Sequence, residues 1–180
     1  MTEAAANTGA GPTRPAPTTS QGGSTADFLY DTFYSAAIGG SLLAIFFLGV
    51  DSLARQPLFT PSLIGTVVFT DASASAAAEI QLNMVAYFTI IHFLAFLATG
   101  AGLAWLYRAL GAYTRKPVFL VAFTFAVLTG GFAIGGLTLS PGVVAVVGFP
   151  WIAVGNLATS IAMVGFIHWS HRPDGGSSSH

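Results

Sequence analysis

His92 is the one residue able to carry charge near neutral pH within residues 80–107, a run without a fixed charge, and it sits near the middle of that run. An imidazole in such a place can relay a proton, offer a lone pair to a metal, or hydrogen-bond to a neighbouring helix. Ionisable groups inside hydrocarbon are costly unless they face protein, water or a cofactor, so they mark functional positions more often than core histidines of soluble proteins do. Three further polar residues, Ser41, Thr129 and Asn156, fall in the same layer when depth is counted along the helices. At 1.5 Å per residue, His92 and Asn156 both lie roughly 16 Å from the membrane surface. One polar group from each of four spans is therefore expected to meet at the midplane. The expected role of the cluster is packing, through interhelical hydrogen bonds worth about 0.6 kcal/mol each. The functional alternative is a relay or a small-molecule pocket around His92.

The other chemistry-bearing residues form looser groupings. Haem held between two histidines needs both rings in one layer, and His168 lies on the order of 20 Å from His92 along the membrane normal. No cofactor is favoured on this count, and ligation of haem or a pigment by His92 alone is the remaining cofactor reading. His168 and His171 share a helix face at i, i+3, but no carboxylate or third histidine is expected beside them, so no metal site is assigned and a polar helix end is the reading. Asp51 and Arg55, at i, i+4, form an expected interfacial ion pair. No catalytic residue is assigned. The glycine doublets lie inside hydrophobic spans, and neither an HExxH motif, a glycine loop followed by lysine, nor a Ser/His/Asp grouping is present, so hydrolase, nucleotidase and zincin chemistry has no residues to stand on.

The elements that must position these residues are transmembrane helices. Hydrophobic residues make up 53% of the 180 positions and charged residues 7%, and the apolar residues come in blocks that suit a bilayer and not a soluble core. A span needs roughly 20 apolar residues. Four runs reach that length, over about 29–53, 80–107, 118–139 and 143–169, so the predicted fold is all-α: a polytopic four-transmembrane-helix bundle over 27–170. Residues 1–26, rich in Ala, Gly, Pro, Ser and Thr, read as a disordered tail without the apolar core of a cleavable signal peptide, and 171–180 as a polar tail.

Within this frame several local features carry expectations. Gly39, Gly40 and Ser41 thin one face of the first span, and Gly130, Gly131, Gly135 and Gly136 thin the third, where neighbouring helices can approach closely. The stretch 58–69 is too apolar for a solvated loop and too short to span, so it is expected as a short interfacial helix, with Thr60 as its cap and Pro61 in its first position. Ser73 or Ser75 is expected to cap the second span. Trp105 and Tyr107 look like an aromatic pair at the headgroup level, with Arg108 beyond them. A tight basic turn over 111–116 and a short turn over 140–142 flank the third span. The fourth span is expected to be interrupted early by Gly148 and Pro150, and the proline predicts a kink, or a helix that starts at Trp151 with 143–149 partly re-entrant.

Orientation follows from cations. Arg14, Arg108, Arg115, Lys116 and Arg172 fall on one side and only Arg55 on the other, so both termini are expected in the cytoplasm. The order of a glycine-thinned first span, the outer segment QPLFTPSLIG and the second span YFTIIHFLAF resembles small four-span bacterial membrane proteins of uncharacterised function, over about residues 33–170. That resemblance implies the topology and a bacterial inner membrane, and no activity. A net charge of −1 leaves no footprint for nucleic acid, and without cysteine there is no thiolate chemistry. The expected role is a non-enzymatic accessory or packing subunit whose partners are the lipid bilayer and other membrane subunits or further copies of itself. A small transporter or proton-linked carrier centred on His92 is the alternative, and a haem- or pigment-binding subunit the third reading.

Overall fold

The structure, a computed structural model, describes residues 24–70, 73, 79–110, 116–139 and 141–172. The expected turn residues 111–115, Ser75, Ser140, residues 1–23 and residues 173–180 lie outside these. Most of the described residues are helical, and none of them lies in a strand. Six helices follow one another: α1 (Thr25–Ala54), α2 (Phe59–Thr70), α3 (Leu82–Ala109), α4 (Pro117–Leu139), α5 (Pro141–Val147) and α6 (Phe149–Ser170). Four of them, α1, α3, α4 and α6, are long and apolar enough to cross a membrane, so the chain is a multi-pass membrane protein built as a four-helix bundle.

Helix α1 is the spine. Its start is fixed by a reciprocal cap: the Ser24 hydroxyl accepts the Asp27 N–H at 3.1 Å, and the Asp27 carboxylate accepts the Ser24 N–H at 2.8 Å. Its face Ser35, Ala36, Gly39 and Gly40 is buried, with Gly39 under Met163 of α6 and Gly40 beside Phe93 and Phe96 of α3. Absent side chains let backbones close up. At Gly100 a Cβ would stand 2.6 Å from the Thr32 carbonyl oxygen, which marks a close approach of α3 to α1. Because lipid tails are as apolar as leucine, this close packing and the few interhelical polar contacts, not hydrophobic exclusion, hold the spans together.

Helix α6 packs on the other side of α1 and buries the stripe Ile152, Gly155, Asn156, Thr159, Met163 and Ile167 at helical spacing. Helix α4 leans on α6, and α2 lies across the start of α3 with Leu63 fully buried. Although consecutive in the chain, α3 and α4 pack only lightly on each other.

The fourth hydrophobic run is two helices, broken at Gly148, whose φ of +90° is a conformation open to glycine at no steric cost. Several local expectations are corrected. Pro150 does not kink the helix; it occupies the first turn of α6, where a missing N–H removes no bond. Pro141 and Gly142 are helical in α5 and not a turn. Thr60 lies inside α2 and is not its cap. Helix α3 begins with Gln81 in the cap position, and not with Ser73; the Gln81 N–H donates to the Ser62 hydroxyl of α2 at 2.8 Å. Tyr107 is buried while Trp105 faces outward, which splits the expected aromatic pair. The glycine face of α1 is covered, but nothing lies within 4 Å of a Cβ placed at Gly130, Gly131 or Gly135.

Candidate functional site

Three polar centres are spaced along the bundle, two of them built on acids of α1. Asp31 and Asp51 are 20 residues apart, hence about 30 Å, the thickness of a hydrocarbon core. Both are buried.

At the end that gathers the start of α1 with the ends of α3 and α6, the Asp31 carboxylate lies 3.5 Å from the Arg108 guanidinium and 3.4 Å from His171 Nε2. Arg108 also donates to the Ser24 carbonyl at 3.2 Å, and the Tyr107 ring packs on both His168 and His171. The expectation that no carboxylate stands beside the two histidines is thereby corrected for His171. The signal was the acid one turn into α1, whose partner depended on helix register. Among the described residues no group of three potential metal ligands comes together.

At the opposite end, Asp51 and Arg55 form the expected i, i+4 pair at 3.8 Å, with the arginine side chain partly exposed and the acid buried. Asp51 is fully buried, and its carboxylate accepts both the backbone N–H and the hydroxyl of Thr60 at 2.7 Å. An anion at the N-terminus of α2 satisfies backbone donors that have no partner within the helix and complements its dipole. Arg55 continues the junction by donating to the Val146 carbonyl of α5 and lying over the Phe59 ring.

Between these ends the expected midplane cluster separates. Asn156 of α6 donates to the Thr129 hydroxyl of α4 at 3.2 Å, whereas His92 of α3 bonds through Nε2 to the Gly40 carbonyl of α1 at 3.0 Å. Ser41 is exposed and joins neither pair. One residue beyond Gly40 is about 100° around the helix, so equal depth did not mean equal facing. The His92 ring is walled by Phe88, Phe93 and Phe96. A carbonyl only accepts, so Nε2 carries the hydrogen, and in the neutral ring Nδ1 carries the lone pair.

His92 and Asn156 nevertheless share one space. A cleft of about 690 Å³ runs between α3 and α4, with Leu43 and Phe47 of α1 and Ile152 of α6 behind it and Ile64 of α2 closing one end. Ile91 of α3 and Val127 of α4 line it and are also exposed, so its mouth is apolar, as a mouth onto lipid must be. The size lies within the range of small-molecule sites, roughly 300–1,000 Å³. Among the described residues, His92 is the only ionisable one of the lining. The cleft exists because α4 is held mainly by α6 and only lightly by α3, and because Gly131 puts no side chain into the gap. Sequence reasoning took the α4 glycines for a packing face, and the open side they leave has no signature in composition. Comparison with protein-family models, curated proteins and solved structures gives no match.

Proposed function

We propose that the chain is a non-catalytic subunit of a bacterial inner membrane, with both termini in the cytoplasm, that serves a larger membrane assembly by holding an apolar molecule taken from the bilayer in the α3–α4 cleft. The observation that carries this reading is the cleft itself, a pocket of ligand size with an apolar mouth and one ionisable wall residue already engaged with a backbone carbonyl. A proton relay needs a second titratable group to hand the proton to, and the described residues of the lining offer none, which weighs against a carrier centred on His92. Haem or pigment ligation is weakened on different grounds. Nε2 is engaged, and the remaining Nδ1 lies next to the ring's attachment to the backbone, where a flat macrocycle has little room. Orientation is supported by the side on which Arg108 and Lys116 fall.

The test is native mass spectrometry of the protein extracted in mild detergent. A bound molecule that survives detergent exchange in the wild type and is lost in Gly131→Leu, alongside co-purifying subunits, supports the proposal. Identical bare spectra for the two proteins contradict it. A reporter fused after Arg172 that is reached only from outside the cell overturns the orientation.

A further inference from the structure

The polar atoms of the cleft divide unequally between donors and acceptors, and the division constrains what fits there. Thr89 donates its hydroxyl hydrogen to the Val85 carbonyl at 2.7 Å, Thr99 to the Ala95 carbonyl at 2.9 Å, and Thr60 to Asp51 at 2.7 Å. A hydroxyl has one hydrogen, so these three present only lone pairs to the cleft. His92 gives its Nε2 hydrogen to Gly40, which leaves Nδ1 as an acceptor without a partner among the described residues. Asn156 gives one amide hydrogen to Thr129 and keeps its carbonyl oxygen and a second amide hydrogen. The lining is thus rich in acceptors and nearly without donors, inside a wall of aliphatic and aromatic carbon.

An apolar molecule without a polar group would leave Nδ1 of His92 unsatisfied, and an ether or ester would set oxygen lone pairs against nitrogen lone pairs. A hydroxyl satisfies both sides. We infer that the cleft binds a lipid-phase alcohol or phenol, a long or fused hydrocarbon whose O–H donates to Nδ1 of His92. This rests on the cleft being a binding site, as proposed above, and adds the chemistry of its ligand. Two sources supply such a group in a membrane: an isoprenoid-type alcohol or a phenolic head on a hydrocarbon tail.

Matched probes separate these possibilities. Retinol is titrated by its own fluorescence, and retinyl methyl ether, α-tocopherol and α-tocopheryl methyl ether by displacement of it, with the purified full chain in one detergent. Wild type is expected to prefer at least one hydroxyl compound over its ether by about fivefold, the worth of one neutral hydrogen bond. The preferred pair identifies the alcohol or the phenol as the ligand class. His92→Leu should bring that ratio close to one, and His92→Gln, which keeps a side-chain acceptor, should retain part of it. Equal binding of hydroxyl compound and ether in both pairs by wild type overturns the inference, whatever the variants do. A preference that survives His92→Leu overturns the role of Nδ1. If nothing binds, the cleft is not a binding site and the proposed function fails with it.

Discussion

The carboxylate of Asp51, at the end of the first span, holds the first turn of α2 by accepting the N–H and the hydroxyl of Thr60, each at 2.7 Å, from a position with no exposure to solvent. A residue on one helix thus caps another, and the cap lies against the closed end of the cleft, which Thr60 also lines. The position of α2 depends on this contact.

Asp51→Ala leaves buried donors without an acceptor and should cost about 3 kcal/mol, the lower end for breaking a buried charged contact. Arg55→Ala should cost under about 1 kcal/mol, since the Arg55 side chain is 28% exposed and its pair with Asp51 is long. Thermal unfolding in detergent separates the two, and protease sensitivity over 58–70 should rise only in the Asp51 variant.

His92 bonds to a backbone carbonyl that already serves α1's own helix ladder, so removing the imidazole strands no sole acceptor. His92→Leu is therefore expected to cost only about 0.6 kcal/mol, an average interhelical hydrogen bond in a membrane. His92→Gln should unfold with the wild type. A loss of several kcal/mol in the Leu variant would mean that His92 carries more of the packing than one bond.

Close approach makes the opposite prediction for glycines that look alike in sequence. Gly100→Ala drives a methyl to within 2.6 Å of the Thr32 carbonyl and 2.9 Å of the Ser35 hydroxyl, and overpacking of this kind costs about 1–3 kcal/mol. Gly49→Ala meets nothing within 4 Å and should shift stability by less than about 0.5 kcal/mol. Melting temperatures of the two variants, side by side, check both statements.

The spans were legible because a run of apolar residues long enough to cross a bilayer has few other uses, and the helix in 58–70 because its composition excluded a solvated loop. The site was legible only in part. Depth along a helix can be counted from sequence, and it put His92, Asn156 and Thr129 in one layer; rotation about the helix decides partners, and it turned Ser41 away. The buried Ala36, Gly39 and Gly40, with half-buried Leu43, carry the spacing that would have excluded Ser41. His92 bonds to a backbone carbonyl, which no residue type announces. Asp31 meets Arg108 and His171 across helices 77 and 140 positions away, 108 − 31 and 171 − 31, so that cluster requires the register of three spans. The break at Gly148 was legible in the sequence, whereas the kink expected of Pro150 did not form, because a proline is harmless in a first turn.

The central claim, that the α3–α4 cleft holds an apolar molecule, is tested most directly by filling it. Gly131 borders the cleft and Gly102 faces outward elsewhere, and a Cβ at either position meets nothing within 4 Å, so Gly131→Leu and Gly102→Leu make the same chemical change in and out of the site. In a fluorescence titration with retinol, wild type and Gly102→Leu should saturate with the same Kd, and Gly131→Leu should bind about tenfold more weakly or worse, a loss of roughly 1.4 kcal/mol. Saturation of Gly131→Leu at the wild-type Kd would contradict the claim.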